Sequence, residues 1–361
     1  MSNRQLNLLF KVIKTMMSVL IALTMAFVVI LLVSDQPWDA IKGFIGGPFT
    51  SVRRFGLIFE NAMPLLFTGL GCCLIFAMGC GQIITEGAFY FAAVAATMVA
   101  ISGLPLPGPV LFAAACLVAA IAAAAVCLVP MLFYIRWDAN LFVVGMMLNY
   151  ILLNVGTYIL NYHLLDPDFG YPASYLFPAE MKPTVLIRGT YVTTVVFIGI
   201  AFVILLYVFF YHTKWGYNIR LVGSNPSFAR YSGIGIVSTL LIGQTLCGAV
   251  IGVGSACELF SRYDRFNWYA LPGYGWDGIL IATLASFKPQ YVPLAALFLS
   301  YLRTGADLMS RQSDVAAELA PVVQSFMVLF IAANAFLKGT QQKLRVKQSK
   351  VRQKAKEAKK V

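Results

Sequence analysis

GYGWDGILIATLASFKPQYVPLAALFLSYLR (273–303) decides the topology of this chain. Read as one helix, it sets Lys288-Pro289 near the centre of a bilayer. That combines a costly charge with a helix breaker. Two shortened helices meeting at Lys288-Pro289 avoid both costs. Working outward, uncharged runs predict spans near 15–33, 61–79, 87–103, 109–133, 139–160, 190–211 and 234–257, and a last one near 319–337. The expected fold is all-α: a polytopic integral membrane protein of about ten transmembrane helices with a broken helical hairpin near 273–303.

Composition supports the membrane reading. Of 361 residues 60% are hydrophobic and 12% charged, with a mean hydropathy of +0.78, whereas a soluble chain carries about 25% charged residues. From Asn61 to Ile135 the sole charge is Glu86, and that length accommodates three helices at roughly 20 residues per crossing. The net charge of +12 is local, because ten of the 27 Lys and Arg lie between Lys338 and Lys360. We therefore read 1–337 as a transmembrane domain and 338–361 as a basic cytoplasmic tail beside anionic lipid headgroups. No nucleic-acid partner is expected. Ten segments place both termini in the cytoplasm of a multi-pass cell-membrane protein, and the basic ends agree with this orientation. The apolar N-terminal run lacks a small-residue cleavage motif after it and reads as a retained first span. Seven cysteines without paired spacing and two histidines, His163 and His212, indicate no disulfide framework and no metal site. The largest outer loop, Asn161–Gly189, carries four prolines and suits a cap or docking surface.

Three stretches carry chemistry. Between two apolar runs lies the basic segment His212–Ser232, with the core RLVGSNPSFARYS (220–232). Asn225 followed by Pro226 is a helix start: the Asn side chain accepts from free N–H groups, and proline at the first position withholds no needed donor. A short helix held between two spans is placed to push on a soluble partner; the alternative is an ordinary capped loop. In the second stretch, Tyr150, Asn154, Thr157 and Asn161 follow one another at four, three and four residues and share a helix face, with Asn149 about 100° away. This stripe lines a pathway for a neutral polar solute or serves as interhelical hydrogen-bond glue. Third, Glu86 sits in the glycine-rich break GCGQIITEG (79–87), where a carboxylate at a helix start is favoured by the helix dipole. A proton relay is the competing role, and it lacks partners. Gly248 and Gly252 form a small-residue packing face. No glycine loop followed by Lys-Ser or Lys-Thr is present, so ATP hydrolysis is not expected on this chain. No catalytic constellation exists, and no cofactor is expected on it.

Taken together, from about residue 60 to 337, the chain resembles permease subunits of ABC importers in the branched-chain amino acid and ribose permease superfamily, its nucleoside and simple-sugar branch above all. GSNPSFARYSGIGI (223–236) is similar to that family's cytoplasmic segment, MMLNYI (146–151) to the Met-Leu-Asn-Tyr signature of nucleoside-type permeases, and GYGWDGILIATLASFKP (273–289) to its late Gly-aromatic-Asp-Gly-Ile segment. Around Glu86 the chain departs from the family pattern, keeping Glu-Gly but not the Asn, first Gly and final Gln. The resemblance implies a permease importing nucleosides or related solutes, with simple sugars as the alternative cargo. It further implies a second permease subunit, a cytoplasmic ATP-binding subunit that binds the ATP, and an extracytoplasmic solute-binding protein. Gly223, Asn225, Pro226, Ala229 and Arg230 become candidates for coupling to the ATPase. Asn149, Tyr150, Asn154, Thr157 and Asn161 become candidates for the translocation pathway. An ion-coupled secondary transporter is the reading from another class, supported by Glu86 and the broken hairpin.

Overall fold

The computed structural model describes residues 36–313 except Arg188, together with Thr24, Leu31 and Ser325. The expected first span, last span and basic tail thus lie almost wholly outside the described residues. The described part is helical, without strands beyond two isolated bridges in the outer loop. It divides into two units. In the smaller, α1 (Pro37–Gly46) meets the segment that begins at Gly305, where a Cβ on Gly305 would lie 2.6 Å from the Phe44 carbonyl oxygen.

The larger unit, residues 48–304, holds α2 (Val52–Ala77), α3 (Thr85–Ala100), α4 (Gly108–Trp137) and α5 (Leu141–Ile159, continued by a wider turn Leu160–Leu164). After the outer loop come α6 (Val195–His212), α7 (Lys214–Ser224), α8 (Pro226–Tyr231), α9 (Ile236–Arg262), α10 (Tyr274–Leu284) and the start of α11 (Val292–Gln312). Among the described residues five helices are long and apolar enough to cross a bilayer: α2, α4, α5 with its continuation, α6 and α9.

The broken hairpin is present. α10 has 11 residues, about 16 Å at 1.5 Å per residue, or roughly half a hydrocarbon core. It ends in a turn where Ser286 and Phe287 take left-handed backbone angles (φ 54° and 57°). Phe287 stacks on Phe76 at 5.6 Å, which offsets that conformation, and Lys288 is exposed.

Two helices run further than their uncharged runs predict. α2 begins nine residues before Asn61, and α9 continues past Cys257 to Arg262. The reason is mutual neutralisation: Arg262 pairs with Glu60 (3.6 Å) and Glu258 (3.4 Å), and donates to Asn61 Oδ1 (3.3 Å). Both carboxylates are buried, and charges so placed are tolerated when paired and hydrogen-bonded.

The core lies where α2, α3, α4, α9 and α10 meet. α4 and α9 are antiparallel at very close range. Cβ atoms added at Gly248 and Gly252 would lie 2.5 Å from the Ala123 oxygen and 2.3 Å from the Ala119 oxygen, the close small-residue packing that membrane helices use. α10 runs parallel to α2, since Gly278 abuts Thr68 while Phe287 reaches Phe76. The outer loop folds back over the α9–α10 connection. Ser174 and Phe177 N–H groups donate to Phe266 and Asp264 carbonyls, and the Arg265 guanidinium sits 4.1 Å from the Phe169 ring centroid. Hydrogen bonding from Arg265 holds the Asp166 carboxyl below the usual carboxylate range.

Candidate functional site

The segment after α6 is built from local signals. Thr213 caps α7, accepting from the Gly216 N–H at 3.1 Å. Arg220 turns back over the rings of Phe210 and Tyr211 (5.3 and 5.0 Å) and donates to the Phe210 carbonyl, a cation at a helix C-terminus. Asn225 then caps α8 from extended backbone, its side-chain oxygen accepting the Phe228 N–H at 3.0 Å, with Pro226 in the first turn. The helix has six residues and stops where Gly233 takes φ 76°.

Its residues divide by direction. Ala229 is fully buried, and Gly223 closes on the end of α2, where an added Cβ would lie 1.9 Å from the Ala77 oxygen. Arg230 is exposed, as are Asn225 and Pro226. Two aromatic residues absent from the sequence-based candidates stand out with them: Phe228, 54% exposed, and Tyr231, 91% exposed. The signal for them was available, since residues one before and two after a small residue in a one-sided helix point away from it.

The members of the stripe on α5 and its continuation differ in their surroundings. Tyr150 and Asn154 lie exposed, with the Asn154 amide donating to the Tyr150 carbonyl at 2.8 Å. Thr157 approaches the Tyr90 hydroxyl (3.4 Å), and Asn161 accepts from the Tyr269 hydroxyl (3.0 Å). Asn149 is apart from them and buried. Its amide donates to the Ile83 carbonyl (2.9 Å) and accepts from the Gly87 N–H (2.8 Å), which fixes the glycine-rich loop against α5. It stands behind the stripe as a clamp.

Glu86 is a cap, though of a helix other than its own. From the first turn of α3 its carboxylate accepts the N–H groups of Gly273 and Gly275, both at 2.5 Å, and of Trp276 at 3.4 Å. These are the free donors at the start of α10. Thr85 adds a bond from its hydroxyl to the Gly275 carbonyl (3.3 Å). Such an approach needs glycine: a Cβ at Gly275 would lie 2.3 Å from the Glu86 backbone nitrogen. The N-terminus of α10 is therefore met by a fully buried carboxylate from the first turn of α3. Asp277, one turn into α10, pairs with Arg303 of α11 at 2.5 Å. Among the described residues no group of His, Cys, Asp and Glu is arranged to hold a metal ion.

A family described as the branched-chain amino acid transport system / permease component matches residues 56–332. The chain belongs to this family. It is thus a multi-pass membrane permease of the ABC-importer type, which transports rather than catalyses, and the ion-coupled alternative falls away. Three relatives are similar over most of their length. The glucose ABC transporter permease protein of Haloferax volcanii is 28% identical, covering 89% of this chain and 87% of its own. The guanosine ABC transporter permease protein of Bacillus subtilis is 26% identical, covering 83% and 87%. The nucleoside ABC transporter permease protein of Lactococcus lactis is 23% identical, covering 89% and 91%.

Proposed function

We propose that this permease imports a neutral nucleoside or a related sugar-bearing solute, driven by ATP hydrolysed on a separate subunit. The observation that carries the reading is the pair of uncharged polar side chains Tyr150 and Asn154, left exposed among apolar neighbours on α5. Donors and acceptors without charge suit a polyhydroxyl or amide-bearing solute, because a polar group left unpaired costs about 1–3 kcal/mol. A second permease subunit facing this surface would enclose the path between Tyr150, Asn154, Thr157 and Asn161. Two relatives named for guanosine and nucleoside transport support the nucleoside cargo. The relative of higher identity, named for glucose, favours a simple sugar as the second reading.

Cells depending on this system are expected to take up labelled nucleosides in competition with other nucleosides and not with leucine. Asn154→Leu should lower that uptake about tenfold, the effect of roughly 1.4 kcal/mol, at unchanged membrane abundance. Glucose competition in place of nucleoside competition would select the sugar reading. Uptake surviving deletion of the gene, in a strain with no other route, would overturn both.

In the assembly we infer, an extracytoplasmic binding protein delivers the cargo and a cytoplasmic ATP-binding subunit docks on α8. The chain crosses ten times with both termini cytoplasmic. Single cysteines in a background lacking the native seven test this: a membrane-impermeant maleimide applied to intact cells should label position 311 and leave 288 and 350 untouched. External labelling at 288 would reverse the hairpin.

A further inference from the structure

We infer that Glu86, carried on the first turn of α3, is a built-in anionic ligand for the N-terminus of α10, cancelling a pull on anions that this helix end would otherwise exert. Each helix N-terminus carries the equivalent of about half a positive charge. The α10 end meets a fully buried carboxylate inside the protein. Half-helices that begin inside a membrane commonly turn such ends toward an anionic group of the cargo. Here the position is taken by a side chain of the protein itself.

Three observations converge on this. The carboxylate spends both oxygens on α10, one on Gly273 and the other on Gly275 and Trp276. No Lys, Arg or His among the described residues pairs with it, and the hydrogen bonds it accepts come from backbone N–H groups. The junction also lies one residue behind the solute face, since Gly87 binds Asn149 and Asn149 precedes Tyr150. With Glu86 in place the α10 end is neutralised, and a solute passing the stripe meets no net attraction for negative charge from it. The link to a passing solute rests on the function proposed above; the anion site itself does not.

Glu86→Ala opens a cavity of carboxylate shape at the N-terminus of α10. The full-length variant, purified in detergent, is expected to melt below wild type and to recover several degrees of Tm, saturably, as sodium formate is added. Sodium chloride at matched ionic strength and neutral formamide should recover less than half as much. Wild type and Glu86→Gln, whose side chains fill the place, should not respond to formate specifically. Equal response of Glu86→Ala to formate and formamide, or an equal formate response in wild type, would overturn the inference. If Glu86→Ala cannot be purified, Glu86→Asp and Glu86→Gln decide it. Retained charge predicts that Asp keeps the protein folded at higher temperature than Gln, and the reverse order would refute it. None of these measurements involves cargo, so a wrong nucleoside assignment would leave their outcome unchanged.

Discussion

Isoleucine at both Gly248 and Gly252 is expected to abolish the folded permease. Added Cβ atoms at these positions would lie 2.5 and 2.3 Å from carbonyl oxygens of α4, and those contacts involve backbone that cannot rotate away. Overpacking a single site costs about 1–3 kcal/mol, occasionally more. Two such sites on one interface force α4 and α9 apart along their length, and a typical protein has only about 5–15 kcal/mol to lose. Membrane abundance should fall at least tenfold, and any purified protein should elute as aggregate. Alanine at either position alone should give a milder, measurable drop in melting temperature. A doubly substituted protein with wild-type abundance and melting temperature would show that α4 and α9 do not meet as described.

Replacing Phe228, Arg230 and Tyr231 together by alanine is expected to reduce ATP-driven uptake by about a thousandfold. The three side chains are exposed on α8, whereas Ala229 between them is buried, so their loss should leave abundance and melting temperature unchanged. Tyrosine and arginine are enriched among residues that dominate protein interfaces, at 2 kcal/mol or more each. Two such contributions amount to about 4 kcal/mol, or roughly three decades of association with the ATPase. Solute binding to the external receptor should persist. Undiminished uptake, or loss of the permease from the membrane, would each count against α8 as the docking element. Gly223→Leu makes a useful contrast: its expected effect is structural, since it would collide with the Ala77 carbonyl oxygen.

The sequence alone determined those features that depend on neighbouring residues. Runs of uncharged residues marked the membrane helices. Lys288-Pro289 marked the break, because a buried charge and a missing N–H are costly wherever the rest of the chain goes. Asn225-Pro226 marked the start of α8, because capping acts within three residues. The four-three-four spacing of Tyr150, Asn154, Thr157 and Asn161 marked one face of α5. Tertiary structure decided what depends on residues far apart in the chain. Glu60 and Arg262, 202 positions apart, lie inside helices because each neutralises the other, and a charge count along the chain can only read them as helix ends. Asn149 became a clamp through its bonds to Ile83 and Gly87, though its neighbours share its composition and differ only in direction. Glu86 was legible as a cap, but the first N–H it caps, that of Gly273, lies 187 residues later. Free N–H groups at a helix start can donate to any carboxylate brought to them, so the packing of α3 against α10 selected this one.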